Sequence, residues 1–282
     1  MNAVEAGEVS RVLGFIYAGA DINLKYNGWT PLGRASRTGK LDIVQALIRH
    51  GADLETRMDI RWWGILPGGG TALNWAAAEG HLEIVKLLVS KNAKIEPNAE
   101  KPIFFGTGGT PLTMAAGKGR LDVVRFLLDS GADQGSPEGQ PGWTAFLCAC
   151  GEGQIEIMKY FCQTKGFDVR RKGTDGLTPL HVAAKHNEPH SMKFLVESGA
   201  LLNAKDGKGN TPLHLVASDG RRKAAIWLRL RGADLKSKND DGMTPLDVAK
   251  SRFSGLDTTP DLVKCLDWNL PDPEPETGCI VM

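Results

Sequence analysis

GLTPLHVAAKHNEPHSMKFLVESGALLNAKD, residues 176–206, is followed almost at once by GNTPLHLVASDGRRKAAIWLRLRGADLKSKND, residues 209–240. Both stretches open on Thr-Pro-Leu-His, pass through small residues to a polar turn, and run through an apolar segment to a Gly-Ala close. Thr-Pro-Leu or a near variant begins at Thr30, Thr71, Thr110, Thr144, Thr178, Thr211 and Thr244, at intervals of 41, 39, 34, 34, 33 and 33 residues. A chain that repeats itself at that spacing is a stack of one supersecondary unit.

Each unit has a physical logic. The Thr is suited to cap a first helix, with Pro tolerated in its first turn. Small residues such as Ala76, Ala77, Ala115, Ala116, Ala183 and Ala184 let two helices approach closely, and Gly80, Gly119 or Gly153 permits the reversal between them. A second helix carries a stripe such as Ile84, Val85, Leu87 and Leu88. Gly-Ala pairs at Gly51, Gly131, Gly199 and Gly232 end it. With these motifs the chain resembles the ankyrin repeat family over residues 3–267. The resemblance implies an all-α repeat solenoid of about seven repeats plus a partial N-terminal cap, with hairpin-like fingers along one edge.

The ends depart from the pattern. AVEAGEVSRVLGFIYAGADIN, residues 3–23, reads as the tail of one helix, a Gly turn and a complete second helix, a short cap that leaves Val12, Leu13, Ile16 and Tyr17 only partly covered. An ordinary cap and a truncated start both fit it. After TPLDVAKSRF the usual helix pair gives way to DTTPDLVKCLD. The expected division is a repeat domain over 1–267 and a flexible tail, 268–282, whose prolines and acids disfavour packing.

Composition removes several classes of function. With 41% hydrophobic and 24% charged residues the chain can bury a core. A formal charge of +1 argues against a nucleic-acid binder that relies on a strong positive field. Five cysteines without a CxxC or spaced Cys/His set suggest neither a disulfide framework nor zinc. There is no signal-peptide pattern and no run of eighteen apolar residues. The expectation is a cytoplasmic monomer.

Histidines and cysteines read as structure. His181, His214 and His81 sit at positions where the family uses the ring to organise turns. His50 ends a helix, where a cation is favoured. His186 and His190 have an HxxxH spacing, but Pro189 should open a new helix between them, which removes its force as a metal motif. Cys148 and Cys150 read as small buried hydrophobes, and neither they nor Cys162 have triad partners. The glycine strings 68–70 and 106–109 lack a P-loop lysine. No catalytic residue, cofactor or metal site is assigned.

Two insertions carry the function-like signal. DLETRMDIRWWGILPGGG, residues 53–70, and IEPNAEKPIFFGTGG, residues 95–109, exceed the period by about eight and six residues and fall where fingers form. They bring Trp62/Trp63 and Phe104/Phe105. Such rings either pack on each other and on the concave helices, or wait for a partner. Trp29 and Trp143 precede the motif Thr at a position that faces the concave edge in the resembled family. The candidate partner-binding set is Trp29, Arg61, Trp62, Trp63, Phe104, Phe105 and Trp143. Trp75 holds a first-helix framework position and reads as core. The occupant expected is a protein segment. A small apolar ligand, or an atypical enzyme using the aromatic pocket, is the alternative.

The chain closes on Cys279-Ile280-Val281-Met282, which has the C-a-a-X form of a farnesylation signal at Cys279. One lipid gives weak, reversible membrane attachment, and Asp272, Glu274 and Glu276 would be repelled by an anionic leaflet. Together these readings give a partner-binding adaptor with peripheral membrane association through a prenyl group.

Overall fold

The computed structural model describes residues 1–58, 70–96, 109–133, 145–173, 175–253 and 260–267. These form sixteen helices in chain order: α1 Asn2–Ala6, α2 Val9–Tyr17, α3 Pro31–Arg37, α4 Leu41–Arg49, α5 Ala72–Glu79, α6 Leu82–Ser90, α7 Pro111–Gly117, α8 Leu121–Asp129, α9 Ala145–Gly151, α10 Ile155–Thr164, α11 Pro179–Lys185, α12 Pro189–Glu197, α13 Pro212–Ser218, α14 Arg222–Leu230, α15 Pro245–Arg252 and α16 Pro260–Leu266. They are a cap pair and seven repeat pairs of an all-α solenoid. No helix among the described residues is long and apolar enough to cross a membrane.

The sequence logic of the repeat is visible bond by bond. Thr30 Oγ1 accepts from Gly33 N at 3.1 Å, and Thr110 Oγ1 from Thr113 N at 3.2 Å. Pro31, Pro111, Pro179, Pro212 and Pro245 fill the first helical turn, where the missing N–H costs nothing. Gly80, Gly119 and Gly153 lie between paired helices at positive φ, and Gly51, Gly131, Gly199 and Gly232 follow second helices in the same region. At Gly176 the need is double: φ is +71°, and a Cβ would strike the backbone of Gly207 in the next finger.

The helices fall into two compact units, α1–α8 and, from Phe146 on, α9–α16. In the first, first helices pack on first helices through fully buried Ala35, Ala76, Ala77, Ala115 and Ala116, while Ile43, Leu47, Ile84, Leu88 and Leu127 fill the space between helix layers. His81 Nε2–H donates to Arg37 O at 3.0 Å and Arg120 Nε donates to Ala78 O at 3.1 Å, so each turn grips the carbonyl end of the preceding first helix. The cap forms as expected, with Gly7 at φ +81° between α1 and α2. Val12 is buried, whereas Phe15 and Tyr17 stand out at 54% and 75% exposure.

In the second unit the core is aromatic at its start. Phe146 stacks on Phe167 at 4.1 Å between centroids and meets Phe161 edge-on at 6.0 Å. The last repeat does complete a pair, since α16 packs on α14 and α15. Buried Arg229 reaches across from α14, its Nη1 donating to Cys265 O at 2.8 Å and Asp267 O at 3.0 Å. A guanidinium thereby satisfies the open carbonyls at the end of α16.

Candidate functional site

The site begins with a tight turn. Tyr26 and Trp29 exchange both backbone hydrogen bonds, at 2.9 and 3.0 Å, across Asn27 and Gly28, which both have positive φ. Asn-Gly is the pair that this hairpin turn favours. The turn delivers Trp29 onto Trp75 of α5, with ring centroids 4.9 Å apart, and Met58 closes the cluster. Trp29 is only 7% exposed, so most of its ring is spent on packing against the next repeat. Trp75, at 9%, is core as expected.

Two arginines of α3 lie over this pair. Arg37 places its guanidinium 5.1 Å from the Trp29 ring centroid and 5.5 Å from that of Trp75; Arg34 sits 5.3 Å from Trp29. Both are held from outside, Arg34 by Glu5 at 2.7 Å and Arg37 by Glu79 at 3.5 Å. These ion pairs are partly exposed and worth little by themselves. Their effect is to aim cationic planes across indole faces. Among the described residues, Trp75 Nε1 and Arg34 Nε are buried without a hydrogen-bond partner. The arrangement is a buried aromatic base under a cationic rim.

Arg34, Arg37 and Met58 are site residues that sequence reading missed. The arginines left no signal, because charged residues are routine in a first helix. Met58 left one. The third helical position is His181 in α11, His214 in α13 and Asn74 in α5, but Gly33 in α3. This repeat lacks the organising side chain, and Met58 occupies its space.

Of the other candidate residues, Arg61, Trp62, Trp63, Phe104, Phe105 and Trp143 lie outside the described residues, as does Cys279. The structure does show the neck of the first insertion: Met58 N–H donates to Gly70 O at 3.2 Å.

The histidines act as read. His181 Nδ1 accepts from Thr178 N at 3.1 Å and Thr178 Oγ1 at 2.8 Å, while Nε2–H donates to Asn210 O at 3.0 Å. His214 repeats this with Thr211 and Met243 O. Burial holds both rings below the usual histidine range, and it brings His186 down to about 4. His186 caps α11 while Pro189 opens α12, so His186 and His190 are not on one helix. Desolvation pushes the Cys148 thiol up to about 12, with Glu152 adding to it, and raises Cys150 and Cys162 as well. Among the described residues no group of three His, Cys, Asp or Glu side chains could hold a metal ion.

Comparison with known proteins places this architecture. Family models described as ankyrin repeats in three copies match residues 1–101, 64–138 and 134–206, and one described as ankyrin repeats in many copies matches 195–249. The chain is 44% identical to the mouse 2-5A-dependent ribonuclease over 59 residues, 20% of this chain and 8% of that protein. It is 34% identical to alpha-latrocrustotoxin-Lt1a of Latrodectus tredecimguttatus over 106 residues, 36% of this chain and 7% of the toxin. With the ankyrin repeat and KH domain-containing protein mask-1 of Caenorhabditis elegans it shares 31% over 163 residues, 58% of this chain and 4% of that protein. Each match thus takes up only a small part of the relative's own length. The overlapping family matches run from residue 1 to 249, and the chain belongs to the ankyrin repeat family.

Proposed function

We propose that the chain is a protein-binding adaptor that holds or occludes a partner segment on the concave finger surface of repeats one to four. The observation that carries this reading is Arg37, whose guanidinium lies 5.1 and 5.5 Å from the ring centroids of Trp29 and Trp75. An aromatic floor with a cationic rim is the composition of interface hot spots. The relatives support recognition over a shared reaction: proteins named as a ribonuclease, a toxin and an ankyrin repeat and KH domain-containing protein match this chain over 59, 106 and 163 residues, a small part of each. In this reading Trp29 works mainly as the floor. Arg61, Trp62, Trp63, Phe104, Phe105 and Trp143 supply the partner contacts.

The same reading treats 1–267 as the repeat domain and 268–282 as a tether, prenylated at Cys279, that brings a monomeric cytoplasmic protein transiently to a membrane. One lipid gives marginal attachment, which suits reversible recruitment.

The test is quantitative affinity purification with mass spectrometry, comparing wild type with Trp62→Ala/Trp63→Ala/Phe104→Ala, whose folding is checked by circular dichroism. A partner lost with the folded variant supports the finger site. Undiminished capture removes it. Membrane fractionation of Cys279→Ser tests the tether: an unchanged distribution between membrane and cytosol would end that part of the proposal.

A further inference from the structure

The outward face of α14 departs from the pattern of the five second helices that precede it in the repeats. In α4, α6, α8, α10 and α12 the positions pointing away from the core, at i, i+3 and i+7, are all polar or charged, as with Glu83, Lys86 and Ser90 in α6 or Glu156, Lys159 and Gln163 in α10. In α14 they are Lys223, Ile226 and Leu230. Leu230 is 41% exposed, Ile226 is half-buried, and half-buried Trp227 lies beside them. The Arg231 guanidinium rests 5.0 Å from the Trp227 ring centroid. Arg222, Lys223 and Arg231 are exposed around this apolar tip, and Arg222–Leu230 contains no acid.

The repeat itself does not require apolar residues there, because five equivalent helices fold with charges in their place. An indole with two aliphatic side chains inside a cationic rim is the composition of a helix that lies in a membrane interface. The rim gives charge complementarity to an anionic leaflet. Position agrees with this. α16 packs on α14, and Cys279 lies 12 residues beyond Asp267, a reach of at most about 40 Å. A membrane met by the tail is thus within reach of α14.

We propose that the α14 face docks on an anionic bilayer surface, with Ile226, Trp227 and Leu230 entering the headgroup layer and Arg222, Lys223 and Arg231 pairing with anionic lipid headgroups. It does not depend on lipidation at Cys279, and the test keeps the two apart. The full chain carrying Cys279→Ser is sedimented with phosphatidylcholine vesicles, with and without phosphatidylserine. Binding should require phosphatidylserine, weaken with added salt, and fall by roughly tenfold or more in Ile226→Glu/Leu230→Glu. Because Ile226 is half-buried, Arg222→Gln/Lys223→Gln serves as a second variant that touches only exposed side chains; it should lower binding comparably.

No phosphatidylserine-dependent binding, or binding unchanged in both folded variants, overturns the proposal. So does a concentration-dependent dimer abolished by Leu230→Glu, which would assign the face to a second copy. Retention on a polyglutamate resin without vesicle binding would assign it to an acidic polypeptide and also overturns the proposal.

Discussion

Met58 stands over Gly33 in the place that an imidazole fills in later repeats. Its Sδ lies 3.5 Å from both Thr30 N and Thr30 Oγ1, the two donors that His181 Nδ1 and His214 Nδ1 satisfy in their own repeats. The substitution extends to the other end. His181 and His214 donate to the carbonyls of Asn210 and Met243, each just ahead of the next motif Thr, and Asn74 donates to that of Gly109 at 2.8 Å. In the first repeat the equivalent carbonyl, Gly70 O, accepts from Met58 N–H. One residue from a neighbouring finger thus performs both tasks of a missing side chain.

Met58→Ala should therefore cost about 2–5 kcal/mol, since it empties a fully buried site against Trp29 and Trp75. Gly33→His alone should also destabilise, because the ring would meet the Met58 side chain. Combined, they should lose less than the sum of the two single variants. Urea unfolding of the four proteins checks this; strict additivity would mean that Met58 does not stand in for the ring.

Acid should weaken the repeats that hold His181, His186 and His214. Each ring has a folded pKa below the ordinary 6.5, through burial. The folded state then binds fewer protons than the unfolded one, so stability is complete above 6.5 and falls as pH drops from there, down to about 4 for His186. Asn74 already fills the same position without titrating. His181→Asn/His214→Asn should flatten the profile of denaturation midpoint against pH. An equally steep profile in the variant would remove these rings as its cause.

Cys148 and Cys150 should be inert thiols. With burial holding Cys148 at about 12 and Cys150 well above its usual range, almost no thiolate exists at neutral pH. In a Cys279→Ser background, labelling by a disulfide reagent followed by peptide mapping should find buried Cys150 unmodified until denaturant is added and half-buried Cys148 modified only slowly. Rapid labelling of Cys150 in the folded protein would contradict its burial.

Arg37→Ala should lower stability by about 1 kcal/mol, because each guanidinium–indole contact at a partly exposed site is worth roughly 0.5–1 kcal/mol. If the finger site holds the partner, capture should fall by much more than this small destabilisation implies. Thermal melting beside the affinity purification separates the two effects, and a loss of capture no greater than the loss of folded protein would confine Arg37 to a structural role.

The fold was legible because each repeat writes its boundaries in residues that cannot be exchanged freely: Thr30, Thr110 and Thr244 at caps, Gly80 and Gly199 at positive φ, Ala76 and Ala115 at close approaches. The cap pair around Gly7 was readable on the same grounds. The site was less so. Trp29 and Trp75 hold different repeat positions, and nothing in periodicity says that an Asn27-Gly28 turn folds one ring onto the other. Arg34 and Arg37 look like ordinary surface charges until their height above the indoles is known. Met58 belongs to an insertion, where the period gives no register. The α16 helix was suggested by LVKCLD, but its anchoring by Arg229 crosses more than a repeat and has no motif.

Neighbouring fingers are joined by a further set of bonds. Asn23 Oδ1 accepts from Asp53 N, Glu55 Oε1 from Lys94 N, Glu96 Oε1 from Asp133 N and Asn203 Oδ1 from Asp234 N, at 2.9–3.3 Å. Glu55 and Glu96 are the third and second residues of the insertions 53–70 and 95–109, so these two handovers are completed at the start of each insertion. The remainder of each insertion can then change in length and sequence without touching these bonds, so what is recognised and how the array is built are written on separate stretches of the chain.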